Sequence, residues 1–242
     1  MNTPRIIPVL LLKGQGLYKG IKFRGHKYLG DPLNAVKIFN DKEADELIFL
    51  DIGATVESRI PQLDLIRGIA DECYMPFAVG GGIRTVEQAK TIFDSGAEKI
   101  VINTAAMEIP ELISAISGIY GSQSVVVSID ASENLLGSYS VYIRSGTVKT
   151  KWDPVKWAKH VEKLGAGEIM LTSIDKDGTM SGYDLNLIKL VSNAVDIPVI
   201  ACGGAGRTED FSLALKDGAS AVAAGAKFVF HGKHRAVLIT YP

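Results

Sequence analysis

Eight short apolar runs, alternating with longer amphipathic stretches, constrain this chain more than any other feature. The candidate strands are Arg5–Leu12, Glu46–Asp51, Pro76–Val79, Lys99–Ile102, Ser124–Ile129, Glu168–Thr172, Pro198–Ala201 and Ala221–Ala224. They are rich in Val, Ile, Leu and Ala and alternate little with polar residues, as strands buried on both faces do. Helical patterns fall between them at Pro32–Lys42, Pro61–Glu72, Thr85–Ser95, Glu111–Ile119, Pro154–Leu164, Leu185–Val195 and Glu209–Lys216. Thr85 and Thr208 read as helix starts, and Gly96, Gly165 and Gly218 as helix ends. Eight such units in 242 residues predict an α/β fold, a single (β/α)8 TIM barrel over 1–242. Residues 132–150 read as an inserted β-hairpin, and the segment after strand one as a glycine-rich loop.

The halves resemble each other. PFAVGGGIRT from Pro76 matches PVIACGGAGRT from Pro198, and KIVINTAA from Lys99 matches AVAAGAKF from Ala221, both at a spacing of 122. This predicts a duplicated half-barrel with two equivalent sites across one mouth. Gly80-Gly81-Gly82 and Gly203-Gly204-Ala205-Gly206 each follow a strand and precede a helix. Glycine lets backbone approach a ligand, and the helix start favours an anion. Asn103-Thr104 and Ala224-Gly225, at the next strand ends, complete the two candidate phosphate sites. Each loop alone is also readable as a tight turn. As a pair at the half-chain period they fit a substrate with two separated phosphates.

Carboxylates at strand ends are the acid/base candidates: Asp51, Asp130, and Asp175 and Asp177 in LTSIDKDGTMSGYD, where Thr172 and Gly178 flank them. Asp51 is also readable as a loop anchor and DKDGT as a plain turn. The formal net charge of −1 offers no basic surface for nucleic acid or an anionic membrane. The apolar runs are too short to span a bilayer, and no signal peptide or metal-ligating pattern is visible. Cys73 and Cys202 read as reduced thiols of a cytoplasmic protein. No cofactor is expected.

RIIP, FLDI, FAVGGGI, INTAA, GSQSVVVSIDA, LTSIDKDGTMSGYD and IACGGAG together resemble the HisF-like cyclase subunit of imidazole glycerol phosphate synthase, over nearly the whole chain. The resemblance implies a lyase that takes ammonia from a glutaminase subunit. With it, the enzyme splits a phosphoribulosyl formimino aminoimidazole carboxamide ribonucleotide in histidine biosynthesis. It implies two catalytic aspartates, ending strands one and five. The second matches Asp130; the first falls on Leu11, so the pair is broken and the activity is left open. Lys19 matches a lysine of the loop over the site. Arg5, Glu46, Lys99 and Glu168 match a ring of charges that gates ammonia at the other end of the barrel; Glu98 and Gln123 lie where a glutaminase would touch.

The leucine-rich first strand, GDPLNAVKIFNDKEADELIFLDI and the ending HRAVLITYP are similar to paralogues associated with acetamidino modification of surface sugars. Three functions stay open: an amidotransferase-complex component for acetamidino sugars in surface polysaccharide biosynthesis, a histidine-pathway cyclase with an altered base, and a non-catalytic phosphate-binding protein.

Overall fold

The computed structural model describes residues 4–232 and 234–241. Eight strands form the barrel: β1 (Arg5–Lys13), β2 (Leu47–Asp51), β3 (Phe77–Gly80), β4 (Lys99–Ile102), β5 (Val125–Glu133), β6 (Glu168–Ser173), β7 (Val199–Cys202) and β8 (Ala221–Ala224). Each pairs in parallel with the next. β8 closes the ring on β1, with Arg5 opposite Ala221. The alternation in sequence therefore does fold as a (β/α)8 barrel.

Period-two geometry sorts each strand between two cores. In β1, Ile7 and Val9 join Ile48, Ala78, Val126, Met170 and Ile200 inside the barrel, with Leu11 packed on them. Leu10 and Leu12 face outward into the larger core between strands and helices. That outer layer holds α1 (Pro32–Asp41), α2 (Leu63–Glu72), α3 (Val86–Asp94), α4 (Glu111–Tyr120), α5 (Pro154–Lys163), α6 (Leu185–Ser192) and α7 (Thr208–Lys216). Thr85 caps α3 by accepting the Gln88 N–H. Thr208 is the first residue of α7 rather than its cap; the Asp210 carboxylate takes the N–H groups of Gly206 and Arg207. After β8 the ring is completed by a short helix, Ala226–Val229, and by chain that returns beside it. There Leu238 and Thr240 donate to the carbonyls of Val229 and Phe228, and the Tyr241 hydroxyl donates to that of Ile6. Among the described residues no helix is long and apolar enough to cross a membrane.

The duplication is visible in backbone detail. Gly96 and Gly218 end α3 and α7 at φ +104° and +103°; a Cβ added there would meet Ala70 and Ser192, again 122 residues apart. Asn103 (φ −124°, ψ −79°) and Gly225 (φ −109°, ψ −66°) share one conformation before their short helices. Register extends the match to the mouth: Leu11 pairs with Leu50, and Asp130 with Thr172.

The segment after β1 is not a loop. Gly16–Ile21 and Arg24–Gly30 form an antiparallel hairpin that continues β1, with Lys13 opposite Gly16. Its first strand buries Leu17, Lys19 and Gly20 while its second is largely exposed, and glycines and charged residues interrupt both, so they lack the apolar run that marked the others. Its tip, Lys22-Phe23, has positive φ at both residues, which suits the twist of a tight hairpin. Beyond β5 the chain forms an antiparallel meander: residues 130–133 pair with Tyr139–Ile143, and Tyr142–Ile143 with Val148–Lys149. Its tip, Arg144-Ser145, also has positive φ at both residues.

Candidate functional site

Strand ends in a parallel barrel present side chains that no neighbouring strand covers, so function collects there. A cavity of about 380 Å³ occupies this mouth. Asp130 lies at its floor, delivered by the apolar run of β5 and 8% exposed. Its Oδ1 accepts from the Ser128 hydroxyl at 3.2 Å and its Oδ2 from Asn103 Nδ2 at 3.3 Å. Burial pushes the carboxyl up to about 7, with the charge of Asp177 adding and the hydroxyls of Ser128 and Thr172 pulling back. A group that exchanges its proton near neutrality can both give and take one.

Lys19 reaches down from the hairpin, and its Nζ meets Asp177 Oδ1 at 2.7 Å, both side chains buried. The Lys22 N–H donates to the Asp177 carbonyl at 2.9 Å, which ties the hairpin to the loop after β6. Gly178 follows at φ +70°, where a Cβ would stand 2.3 Å from the Gly20 carbonyl. Asp51 also lines the cavity, with both carboxylate oxygens engaged. Its Oδ1 accepts from the N–H groups of Gly53 and Ala54, and Arg59 Nη1 meets its Oδ2 at 2.6 Å.

Leu11 points into this cavity, at the level of Asp130 and in the other half of the barrel. Leu10 and Leu12 face away from it. The carboxylate missing from the sequence is thus missing from the mouth, and neither neighbour on β1 replaces it.

Around the floor, Gly81, Gly82, Asn103 and Thr104 line the cavity on one side, and Thr172, Asp177 and Gly225 on the other. Gly225 lies under Lys19, whose Cε would be 3.1 Å from an added Cβ. Gly178, Gly203, Gly204 and Ala224 stand behind this lining. Gly203 and Gly204 are buried beneath the loop after β6, and the Gly182 N–H donates to the Gly204 carbonyl. Asp175 faces away from the floor, accepting from the Ser132 hydroxyl and the Glu133 N–H.

Several participants carried no obvious signal. Ser128 is legible in retrospect, two residues before Asp130 on the same face. Arg84 and Arg144 both bind the Glu108 carboxylate, which they hold below the usual range, and the Arg144 N–H donates to Thr104 Oγ1. Arg235 Nη1 donates to the Gly178 carbonyl at 2.9 Å while its guanidinium lies over the Phe230 ring. Phe23 and Ser145, from the two hairpin tips, meet at the cavity rim, where Phe23 packs on Gly146.

At the opposite end, the strand starts carry a closed ring of alternating charge. Arg5 bridges Glu46 and, at 2.7 Å, Glu168; Lys99 bridges the same two carboxylates at 3.0 and 3.3 Å. Between ring and mouth the lumen is walled by Ile7, Ile48, Ala78, Val126, Met170 and Ile200. Glu98 and Gln123 are exposed on the face that surrounds the ring.

Residues 5–235 match the family described as "Histidine biosynthesis protein". A Pseudomonas aeruginosa protein named "Putative imidazole glycerol phosphate synthase subunit hisF2" is 52% identical over 243 residues, covering 100% of this chain and 97% of the relative. A Leptospira interrogans protein named "Putative imidazole glycerol phosphate synthase subunit HisF" is 48% identical, at 100% and 96% coverage. "Imidazole glycerol phosphate synthase subunit HisF" of Alkaliphilus metalliredigens is 47% identical, at 96% and 91%.

Proposed function

From the premise that this chain belongs to the histidine biosynthesis protein family, as a HisF-like barrel, we propose that it is the ammonia-receiving subunit of a glutamine amidotransferase complex whose ammonia serves acetamidino sugar formation rather than imidazole ring closure. A glutaminase would dock on the face of Glu98 and Gln123. Ammonia would pass the ring of Arg5, Glu46, Lys99 and Glu168 and cross an apolar lumen to the mouth. The lumen's walls favour the neutral molecule over ammonium, since an unpaired charge loses its hydration there. The glycine loops would hold a phosphorylated substrate by backbone N–H groups. Unpaired thiols at Cys73 and Cys202 suit a reducing cytoplasm.

One observation carries the choice: the charged ring is whole while Leu11 stands where a second proton carrier would have to be. General acid/base catalysis contributes about 10²–10⁴-fold, and one carboxylate cannot serve as acid and base to two centres at once. A specific observation also favours the histidine-pathway reading. Asp130, poised at about 7, retains a proton carrier in a mouth of the same architecture. The deciding experiment is turnover of the ribonucleotide at high ammonium and alkaline pH with no partner. Turnover at the rate of an ordinary cyclase subunit would return the chain to histidine biosynthesis. No turnover, together with phosphate-ester binding and ammonia transfer from a glutaminase, is the expected result.

A further inference from the structure

The duplication gives each mouth residue of one half a counterpart in the other, and the counterparts differ in one consistent direction. Val9, Leu11 and Leu50 in the first half occupy the positions of Ser128, Asp130 and Thr172 in the second. The register supports this: Val9 pairs with Ile48 as Ser128 does with Met170, and Leu11 with Leu50 as Asp130 does with Thr172. All six side chains line the same cavity. Around the ring, β1 and β2 carry the apolar set and β5 and β6 the polar set. The two glycine loops follow β3 and β7, between these walls. A ligand reaching across the cavity from Gly81 and Gly82 to Gly225 therefore lies with one flank on each wall. Lys13, two residues further along β1, brings charge back only at the rim.

We propose that this mouth selects a phosphorylated substrate with two unlike edges: a hydrogen-bonding edge against Ser128, Asp130 and Thr172, and a bare hydrocarbon edge against Val9, Leu11 and Leu50. This rests on the reading of the glycine loops as anion sites. A hydroxyl placed against the Val9, Leu11 and Leu50 side chains loses water and finds no partner among them. A methyl group in the same place leaves water for a surface already shaped by leucine and valine. The first half of the barrel thus acts as a filter against polyol phosphates.

Two probes differ only in this respect. 2-Methylbutyl phosphate is glycerol 3-phosphate with each hydroxyl replaced by methyl. Calorimetric titration of the wild-type chain should show the alkyl ester binding about tenfold more tightly, as expected for two methyl groups taken from water. Its binding heat capacity should be the more negative. The double variant Leu11→Asn, Leu50→Thr should abolish the preference while still binding both esters. Equal or tighter binding of glycerol 3-phosphate by the wild type overturns the proposal. So does a preference that survives the double variant, since the apolar contact would then lie elsewhere. Failure to bind either ester, or inorganic phosphate, overturns the anion-site reading and this proposal together. The wild-type comparison needs no variant to fold, and it is independent of ammonia coupling.

Discussion

Asp130 holds its proton because the fold takes it out of water, and that has a sign. The folded group titrates at about 7, above the ordinary carboxylate range. Its contribution to stability is therefore full at acid pH and is lost as pH rises through 7. Between pH 5 and 8 the wild type should lose about 1–3 kcal/mol through this group, and Asp130→Asn should lack that slope in urea unfolding. The same variant should depress any acid/base turnover by about 10²–10⁴-fold; unchanged pathway output would remove Asp130 from the chemistry. Leu11→Asp is the converse change. It places a second carboxyl at the level of the first, and ring-closing turnover of the ribonucleotide should rise above the wild-type level in an ammonium-driven assay. Sequence made Asp130 and the loss at Leu11 legible, since an apolar strand leads directly to each. It could not show that Asp51 is committed to Arg59, nor that Asn103 turns toward Asp130. Those are contacts of tertiary structure with no local pattern.

Elements at the two ends of the barrel differ in how they are held. The basal ring is a closed circuit in which each carboxylate meets two cations. Lys99→Ala would leave Glu46, nearly buried, with Arg5 alone, at a cost of about 1–3 kcal/mol. With a glutaminase present, it should also uncouple glutamine hydrolysis from ammonia use, read as ammonia released to solvent. At the mouth the loop after β6 is held at Gly178, between the hairpin and Arg235. Arg235→Ala should free that loop and weaken inorganic phosphate binding severalfold with little change in Tm, and Arg235→Lys should restore part of it. The hairpin itself was illegible because its core residues, Leu17 and Leu29, stand singly among glycines and charged residues and form no apolar run. The short helix Thr104–Glu108 is a single turn, too brief to build a period. The barrel strands and long helices were legible because burial imposes a pattern on them.

At the scale of the whole molecule, the duplication was readable as a spacing of 122 and the structure turns that number into geometry. What a spacing cannot carry is divergence between the copies, which appears only when equivalent positions are brought face to face. The exposed face around the ring bears Glu98 and Gln123, and Glu98→Arg should weaken association with a glutaminase, as sedimentation of the mixed subunits would show. The two hairpin tips give the molecule one more property. Phe23 against Gly146 narrows the rim of a space whose other end is shut by four charged side chains. One molecule in about 380 Å³ corresponds to about 4 M. A volatile base delivered singly into that space would meet its target at molar strength without being bound at all. Capture there would be a matter of dwell time against leak rate rather than of affinity.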